Sequence, residues 1–178
     1  MKIKYLVALF VLFFVSCKEQ EARRPITATK TQTLASTAEQ LKKINSIEEG
    51  KIQNYIRQDS LSQYAASQSG FWYQYIQKNN ASESTPTKGD VVEISYEILD
   101  LNNQIIYSKQ ELGIKEYKVD KEDFIPALQQ GIKMMRKGET IKFVIPSYNA
   151  YGIVGDENKI GINQSIISIV TLINIKQE

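Results

Sequence analysis

Tyr151 stands in the run Ala150-Tyr151-Gly152, at the end of an apolar, strand-like segment where loops begin and functional side chains concentrate. Other aromatic and branched apolar residues are spread along the second half of the chain, Tyr96, Ile106 and Phe124 among them. Taken singly, Tyr96, Ile106 and Phe124 suit a hydrophobic core better than a site. The 178-residue chain contains no histidine and one cysteine. That removes the Ser-His-Asp triad, the Cys-His pair, His-type zinc sites and the imidazole general base. A single cysteine allows neither an intrachain disulfide nor a Cys cluster for metal. Any chemistry here therefore runs without a metal and without the commonest acid-base residue. No metal and no other cofactor is expected.

The elements that must position these residues lie in the second half of the chain. Phe71 to Ile76 is aromatic-rich and reads as a strand. Asn79 to Asp90 reads as a loop. In Val91 to Leu99, Val92, Ile94, Tyr96 and Ile98 alternate onto one face. A turn at Asp100 to Gln104 leads to a strand at Ile105 to Tyr107. Ile125, Leu128, Ile132 and Met135 recur at helical spacing, with Gly138 just beyond to end the helix. Ile141 to Ile145 and Ile166 to Ile175 are further strands. The pattern predicts an α+β domain over 70–178. In it an antiparallel sheet of about five strands wraps one short helix.

The first half carries an address and an extension. Lys2 and Lys4 precede an unbroken apolar run, Leu6 to Val15, of signal-peptide length and too short to span a bilayer. Phe14-Val15-Ser16-Cys17 resembles a bacterial lipobox, with Phe14 where Leu, Val or Ile is usual. The expectation is a signal peptide over 1–16 and a lipidated Cys17 that anchors the chain to a membrane. Lys18 in place of Asp favours the outer membrane, on its periplasmic or surface face. Residues 17–35 are polar and suit a flexible tether. Residues 36–69 read as a helical extension. Ser36-Thr37-Ala38-Glu39 and Ser46-Ile47-Glu48-Glu49 both fit the capping box. Leu41, Ile44, Ile47, Ile52, Tyr55 and Ile56 form an apolar stripe. Gly50 leaves open one helix with a weak point or two short ones. The stripe leaves open packing on its own domain or a homodimer through the N-terminal helices. The formal charge is +2, and it falls to zero once Lys2 and Lys4 are removed, so no nucleic-acid footprint is expected.

Residues 124–152 resemble the signature of the FKBP-type peptidyl-prolyl cis/trans isomerases. The matching residues are Phe124, Ile125, Leu128, Gly131, Met135, Gly138, Pro146, Ala150, Tyr151 and Gly152. Lys88-Gly89-Asp90-Val91-Val92 and Ile94-Ser95-Tyr96 resemble the family's first strand with its pocket tyrosine, and Ile160 to Ile175 its closing loop and last strand. A lipoprotein signal, a helical leader, a Gly-Phe-Trp-Tyr strand and this domain together resemble the lipoprotein members of the family associated with gliding motility.

The resemblance implies a rotamase that assists folding of exported or envelope proteins by sheltering an X-Pro bond, with proline-containing polypeptides as partners. The barrier to be lowered is ~18–20 kcal/mol of lost amide resonance. No bond breaks, so preference for the twisted amide suffices. Carried over residue by residue, the catalytic positions are Tyr151 and the backbone N–H of Ile125 on substrate carbonyls, with Leu128 as pocket floor. Tyr96, Ile106, Tyr117, Phe124 and Ile160 would bind the substrate. Tyr107 stands where the family has a pocket Asp, and Ser168 where it has a pocket Phe. The missing Phe makes the pocket shallower on one side. Tyr107 and Ser168 together also point toward an alternative, a weakly active or inactive FKBP-fold binding module or chaperone of an envelope machine.

Overall fold

Alternation of apolar and polar side chains organises the second half of the chain into one antiparallel sheet. The computed structural model describes residues 28–59, 63–81 and 84–177. The chain divides into two compact units, Met1–Ala38 and Glu39–Glu178. In the first unit the described residues belong to the start of a helix, α1, Ala28–Gln58. The expected signal peptide over 1–16 and the expected lipidation site, Cys17, lie outside the described residues. No described helix is long and apolar enough to cross a membrane.

After α1 the second unit runs β1 (Ala65–Ala66), β2 (Trp72–Gln77), β3 (Val91–Leu99), β4 (Ile105–Tyr107), α2 (Lys109–Leu112), β5 (Ile114–Lys118), α3 (Pro126–Ile132), β6 (Thr140–Ile145), a 3-10 turn (Ser147–Asn149) and β7 (Ile166–Lys176). The strand order is β1-β2-β6-β7-β3-β4, with β5 also paired to β3. β3 is the hub. Along one edge it pairs with β7 from Val91 to Leu99. Along the other it pairs with β5 over Val91 to Ser95 and with β4 at Ile98 and Leu99.

Successive strand residues point to opposite faces, and both faces are covered. On the inner face Ile141, Phe143 and Ile145 of β6 and Val92, Ile94, Tyr96 and Ile98 of β3 close over Leu128 and Ile132 of α3. Gly131 permits this approach: a Cβ there would sit 2.5 Å from Phe143 Cε1. On the outer face Val144, Ile167 and Leu99 meet Ile52 and Tyr55 of α1.

Several expectations need correction. The sheet has seven strands rather than about five. The additional ones are the two-residue β1 and β5, whose sole buried residue is Tyr117, a pattern too polar to announce a strand. α1 starts at Ala28, inside the stretch read as tether, and ends at Gln58, so the described residues of the expected helical extension beyond it, 59 and 63–69, are not helix. Thr and Lys side chains are tolerated in a helix whose far end is docked. α1 passes unbroken through Gly50, since Ile52 and Tyr55 are anchored on the sheet and offset the ~1 kcal/mol glycine penalty. Neither capping-box motif is a cap. Both lie inside α1, and Ser46 Oγ donates back to Lys43 O at 2.9 Å, as mid-helix serines do. Of the apolar stripe, Ile52 and Tyr55 are buried, while Leu41 and Ile47 are exposed.

Candidate active site

One end of the inner core opens as a hollow of about 380 Å³, walled by Tyr96, Phe124, Ile125 and Tyr151 together with Lys115, Asp123, Pro126 and Ala150. Its position follows from local chemistry. Pro126 opens α3 at a helical position where a missing N–H costs nothing. A residue before proline is driven out of the helical region, and Ile125, at φ −53°, ψ 120°, lies outside it. Gln129 Nε2 donates to Phe124 O at 2.9 Å. In a trans peptide the C=O and N–H point opposite ways, so the Ile125 N–H is turned away from Gln129.

Aromatic contacts hold the walls. The Tyr96 and Phe124 rings meet edge to face, 5.5 Å apart at 89°. Tyr117 and Phe124 are 5.5 Å apart and tilted by 36°. Lys115 Nζ lies 5.2 Å from the Phe124 ring centre, a cation–π contact at the mouth. Burial raises the Tyr96 hydroxyl above its ordinary value. Tyr151 is pushed up to about 12, first by burial and then by Tyr96, Asp156 and Tyr107 nearby. Both phenols therefore remain protonated donors through the neutral range.

The segment after Tyr151 is tied down at several points. Gly152 N donates to Ser147 O at 2.8 Å, and Asn163 N to Gly152 O at 2.9 Å. Gly155 has φ +76°, and a Cβ there would collide with the Ile160 carbonyl, so the turn needs glycine. Asp156 organises the turn's tip. Its Oδ1 accepts from Ile160 N at 2.7 Å and Asn158 N at 3.0 Å. Its Oδ2 accepts from the Tyr107 hydroxyl across from β4. Burial alone would raise the Asp156 carboxyl, but Tyr107 and the backbone N–H groups hold it below the usual carboxylate value. Lys159 adds a contact on the Tyr107 ring, 4.7 Å from its centre, and an ion pair to Glu111 at 2.5 Å.

All eight expected site residues belong to one apolar cluster, but they divide by depth. Tyr96, Phe124, Ile125 and Tyr151 line the hollow. Ile106, expected as a wall, is partly buried against the cluster without lining the hollow. Tyr117, Leu128 and Ile160 are core: Leu128 and Tyr117 have no accessible surface, and Ile160 has 3%. Leu128, expected as the floor, has no surface on which a ligand could rest in this conformation. Tyr117 Oη accepts from Asp120 N at 3.2 Å, a structural bond. Ser168 is likewise removed from the hollow, buried on β7 with its hydroxyl donating to Glu97 O at 3.1 Å. Tyr107 takes part in the latch to Asp156.

Sequence reasoning missed Lys115 and Asp123 at the mouth. Asp123 adjoins Phe124, a weak signal. Lys115 is placed only by the pairing Ile94↔Lys115 between β3 and β5. A wider groove of about 650 Å³ lies elsewhere, between α1 and the turn after β3. Its lining is mainly polar, with Glu48, Lys51, Asn54 and Gln58 from α1, so it offers less to a proline ring than the aromatic hollow. Among the described residues no group of three or more Cys, Asp or Glu side chains is placed to hold a metal ion.

An α3 opened by proline, an aromatic hollow at its N-terminal end and a tyrosine-bearing turn after β6 define a known class. Residues 82–173 match the family of FKBP-type peptidyl-prolyl cis-trans isomerases, and the chain belongs to that family. It is 28% identical over 107 residues to the probable FKBP-type peptidyl-prolyl cis-trans isomerase FkpA of Neisseria meningitidis serogroup B, a match covering 60% of this chain and 38% of that protein. The matched segment is thus well under half of that relative's length. In fold the chain is similar to FkpA from Escherichia coli, with a TM-score of 0.61 and 22% identity over 99% of this chain and 82% of that one. It is also similar to a peptidyl-prolyl cis-trans isomerase of Pseudomonas syringae pv. tomato, with a TM-score of 0.60 and 17% identity over 76% of this chain and 96% of that one.

Proposed function

We propose that this chain catalyses cis/trans isomerisation of X-Pro bonds in polypeptides, and that it does so in the hollow between Tyr96, Phe124, Ile125 and Tyr151. The observation that carries this reading is the juxtaposition of Tyr96, Phe124, Ile125 and Tyr151 on one small hollow. The proline ring packs against Tyr96 and Phe124. The Tyr151 hydroxyl and the Ile125 N–H grip carbonyls beside the rotating bond and fix its orientation. The twisted amide has lost its resonance and is less polar than the planar forms, so an apolar hollow favours it over both. No proton is transferred and no covalent intermediate forms. Lys115 and Asp123 at the mouth contact the residues flanking proline.

We further infer an exported role. The apolar run Leu6 to Val15 and the lipobox-like Phe14 to Cys17 support a lipid-anchored protein of a bacterial envelope, at the outer membrane. The order of leader, helical extension and isomerase domain supports kinship with the gliding-motility-associated isomerase lipoproteins, with envelope polypeptides as clients. Labelled palmitate should enter the wild-type protein and not Cys17→Ser, which should leave the membrane fraction.

The activity is tested by a proline-isomerisation assay on the purified chain. Acceleration above buffer that drops in Tyr151→Phe and drops further in Phe124→Ala supports the reading. A rate equal to buffer overturns it. Cellular rescue by an inactive Tyr151 variant would favour the binding-module alternative.

A further inference from the structure

Glu48 belongs to α1, yet its side chain is 4% exposed. Burying a carboxylate is costly unless it is held by good donors. Here two hydroxyls hold it: Ser147 Oγ donates to Oε2 at 2.8 Å, and Ser165 Oγ donates to Oε1 at 3.2 Å. The two serines are themselves buried, at 2% and 7% exposure. A solvent-facing glutamate on this helix would fold more cheaply, so the arrangement calls for a reason beyond stability.

The reason lies in what the two serines bracket. Ser147 opens the 3-10 turn just before Tyr151, and its carbonyl accepts from both residues that flank Tyr151, Ala150 N at 2.9 Å and Gly152 N at 2.8 Å. Ser165 immediately precedes β7, at the far end of the same segment. Between them run Tyr151, the glycine turn and the Asp156 tip latched to Tyr107. One carboxylate on α1 therefore grips both ends of the segment that carries the Tyr151 hydroxyl.

We propose that Glu48 is a positioning residue for the isomerase site, and that the docked end of α1 is a working part of that site. The claim rests on the isomerase reading above. Through Ser147 it fixes the backbone on either side of Tyr151, and through Ser165 it fixes the return into β7. Undocking α1 frees both ends at once and lowers turnover without touching any residue that lines the hollow.

The test uses the full chain and three variants, Glu48→Ala, Glu48→Gln and Ser165→Ala, with two readouts. The first is kcat/KM for proline isomerisation. The second is amide hydrogen exchange at Gly152 and Asn163 in the segment, against Ile94 and Tyr96 in β3. Glu48→Ala is expected to lower kcat/KM roughly tenfold, the size of a lost charge-assisted hydrogen bond. Exchange at Gly152 and Asn163 should accelerate while β3 stays protected. Glu48→Gln keeps the length and an acceptor, and should recover most of both. In the Glu48→Ala background, Tyr151→Phe should cost less than in wild type, because the hydroxyl is no longer held in place. Wild-type kcat/KM with wild-type exchange in Glu48→Ala overturns the proposal. So does an equal acceleration in β3, which would make Glu48 merely structural. Should Glu48→Ala fail to fold, Ser165→Ala carries the test at one end: faster exchange at Asn163 and a lower kcat/KM support it, and wild-type values overturn it. If the wild-type chain shows no isomerase activity, the exchange arm still decides. Selective acceleration then keeps the positioning role and sinks the isomerase reading alone.

Discussion

The two faces of the sheet bury similar side chains and obtain different things from them. On the inner face a short helix presses so close that Gly131 leaves no room for a methyl group against Phe143, and packing runs without a break from Ile132 to Tyr96 before opening at the hollow. On the outer face a long helix rests on a small patch, Ile52 and Tyr55 against Leu99, Val144 and Ile167. Polar ties supplement that patch: Tyr55 Oη donates to Asn103 Oδ1 at 3.0 Å, Lys142 pairs with Asp59 at 3.1 Å, and Glu48 holds its two serines. The inner face is a core with one open end. The outer face is a strap held at discrete points. The difference teaches that open apolar surface appears where close packing stops, and that the opposite face is held by contacts that can be removed one at a time.

Substitutions of equal size on the two faces would break or sharpen this contrast. Leu128→Ala should have the largest effect, about 2–5 kcal/mol of lost stability, because the tight inner face cannot collapse into the space. Urea unfolding should show a lower midpoint with a single transition. Ile52→Ala also removes a fully buried side chain, but its cost should lie near the lower end, about 2 kcal/mol, because the strap can detach without the sheet unfolding. Hydrogen exchange should show α1 amides accelerating ahead of β3. Equal losses with one shared transition would erase the distinction between core and strap. Gly131→Ala should come next, at roughly 1–3 kcal/mol, from overpacking against Phe143. Alanine normally stabilises a helix over glycine by about 1 kcal/mol, so a rise in Tm would show that the approach to Phe143 is looser than 2.5 Å.

What could be read from the sequence follows the same division. β3, β6 and the α3 window were legible because Val92, Ile94, Tyr96 and Ile98 alternate, and because Leu128 and Ile132 repeat at helical spacing. The family motif then marked Phe124, Ile125 and Tyr151. β5 was illegible because an edge strand with exposed Ile114 and Glu116 shows no alternation, and without its register Lys115 could not be placed at the mouth. Depth was illegible too: Leu128 and Tyr117 have the same apolar character whether they line a hollow or lie beneath it. The start of α1 was hidden because its polar, Thr-rich first turns lack a stripe. Glu48 was hidden inside an apparent capping box whose capping carboxylate would be Glu49, when its own carboxylate serves a contact 99 residues away.

The smallest effect expected is a pair of pH limits, and these also separate the faces. Tyr151 is pushed up to about 12 from an ordinary 10.0, by burial first. The folded chain thus holds that proton more tightly than the unfolded one. The resulting stability is complete below pH 10 and fades as pH rises through the folded value. On the outer face Tyr64 is raised as well, by burial and then by Asp59, so both faces weaken in strong alkali. Acid acts on the site face through the latch. Asp156 is held below its ordinary 3.8, so its contribution is present above that value and is lost as pH falls through the folded one. Turnover should therefore be flat across the neutral range and decline on the acid side as the carboxylate takes up a proton and can no longer accept from Tyr107, Ile160 and Asn158 together. Tyr107→Phe removes the donor that most lowers Asp156, so the acid decline should move to higher pH while the alkaline limit stays in place. A pH–rate profile of the two proteins, with Tyr151 followed by its phenolate absorbance, checks both limits. An acid limit unmoved by Tyr107→Phe would mean that the tip of the segment is held by its own backbone N–H groups, and that the tie across to β4 contributes nothing to turnover.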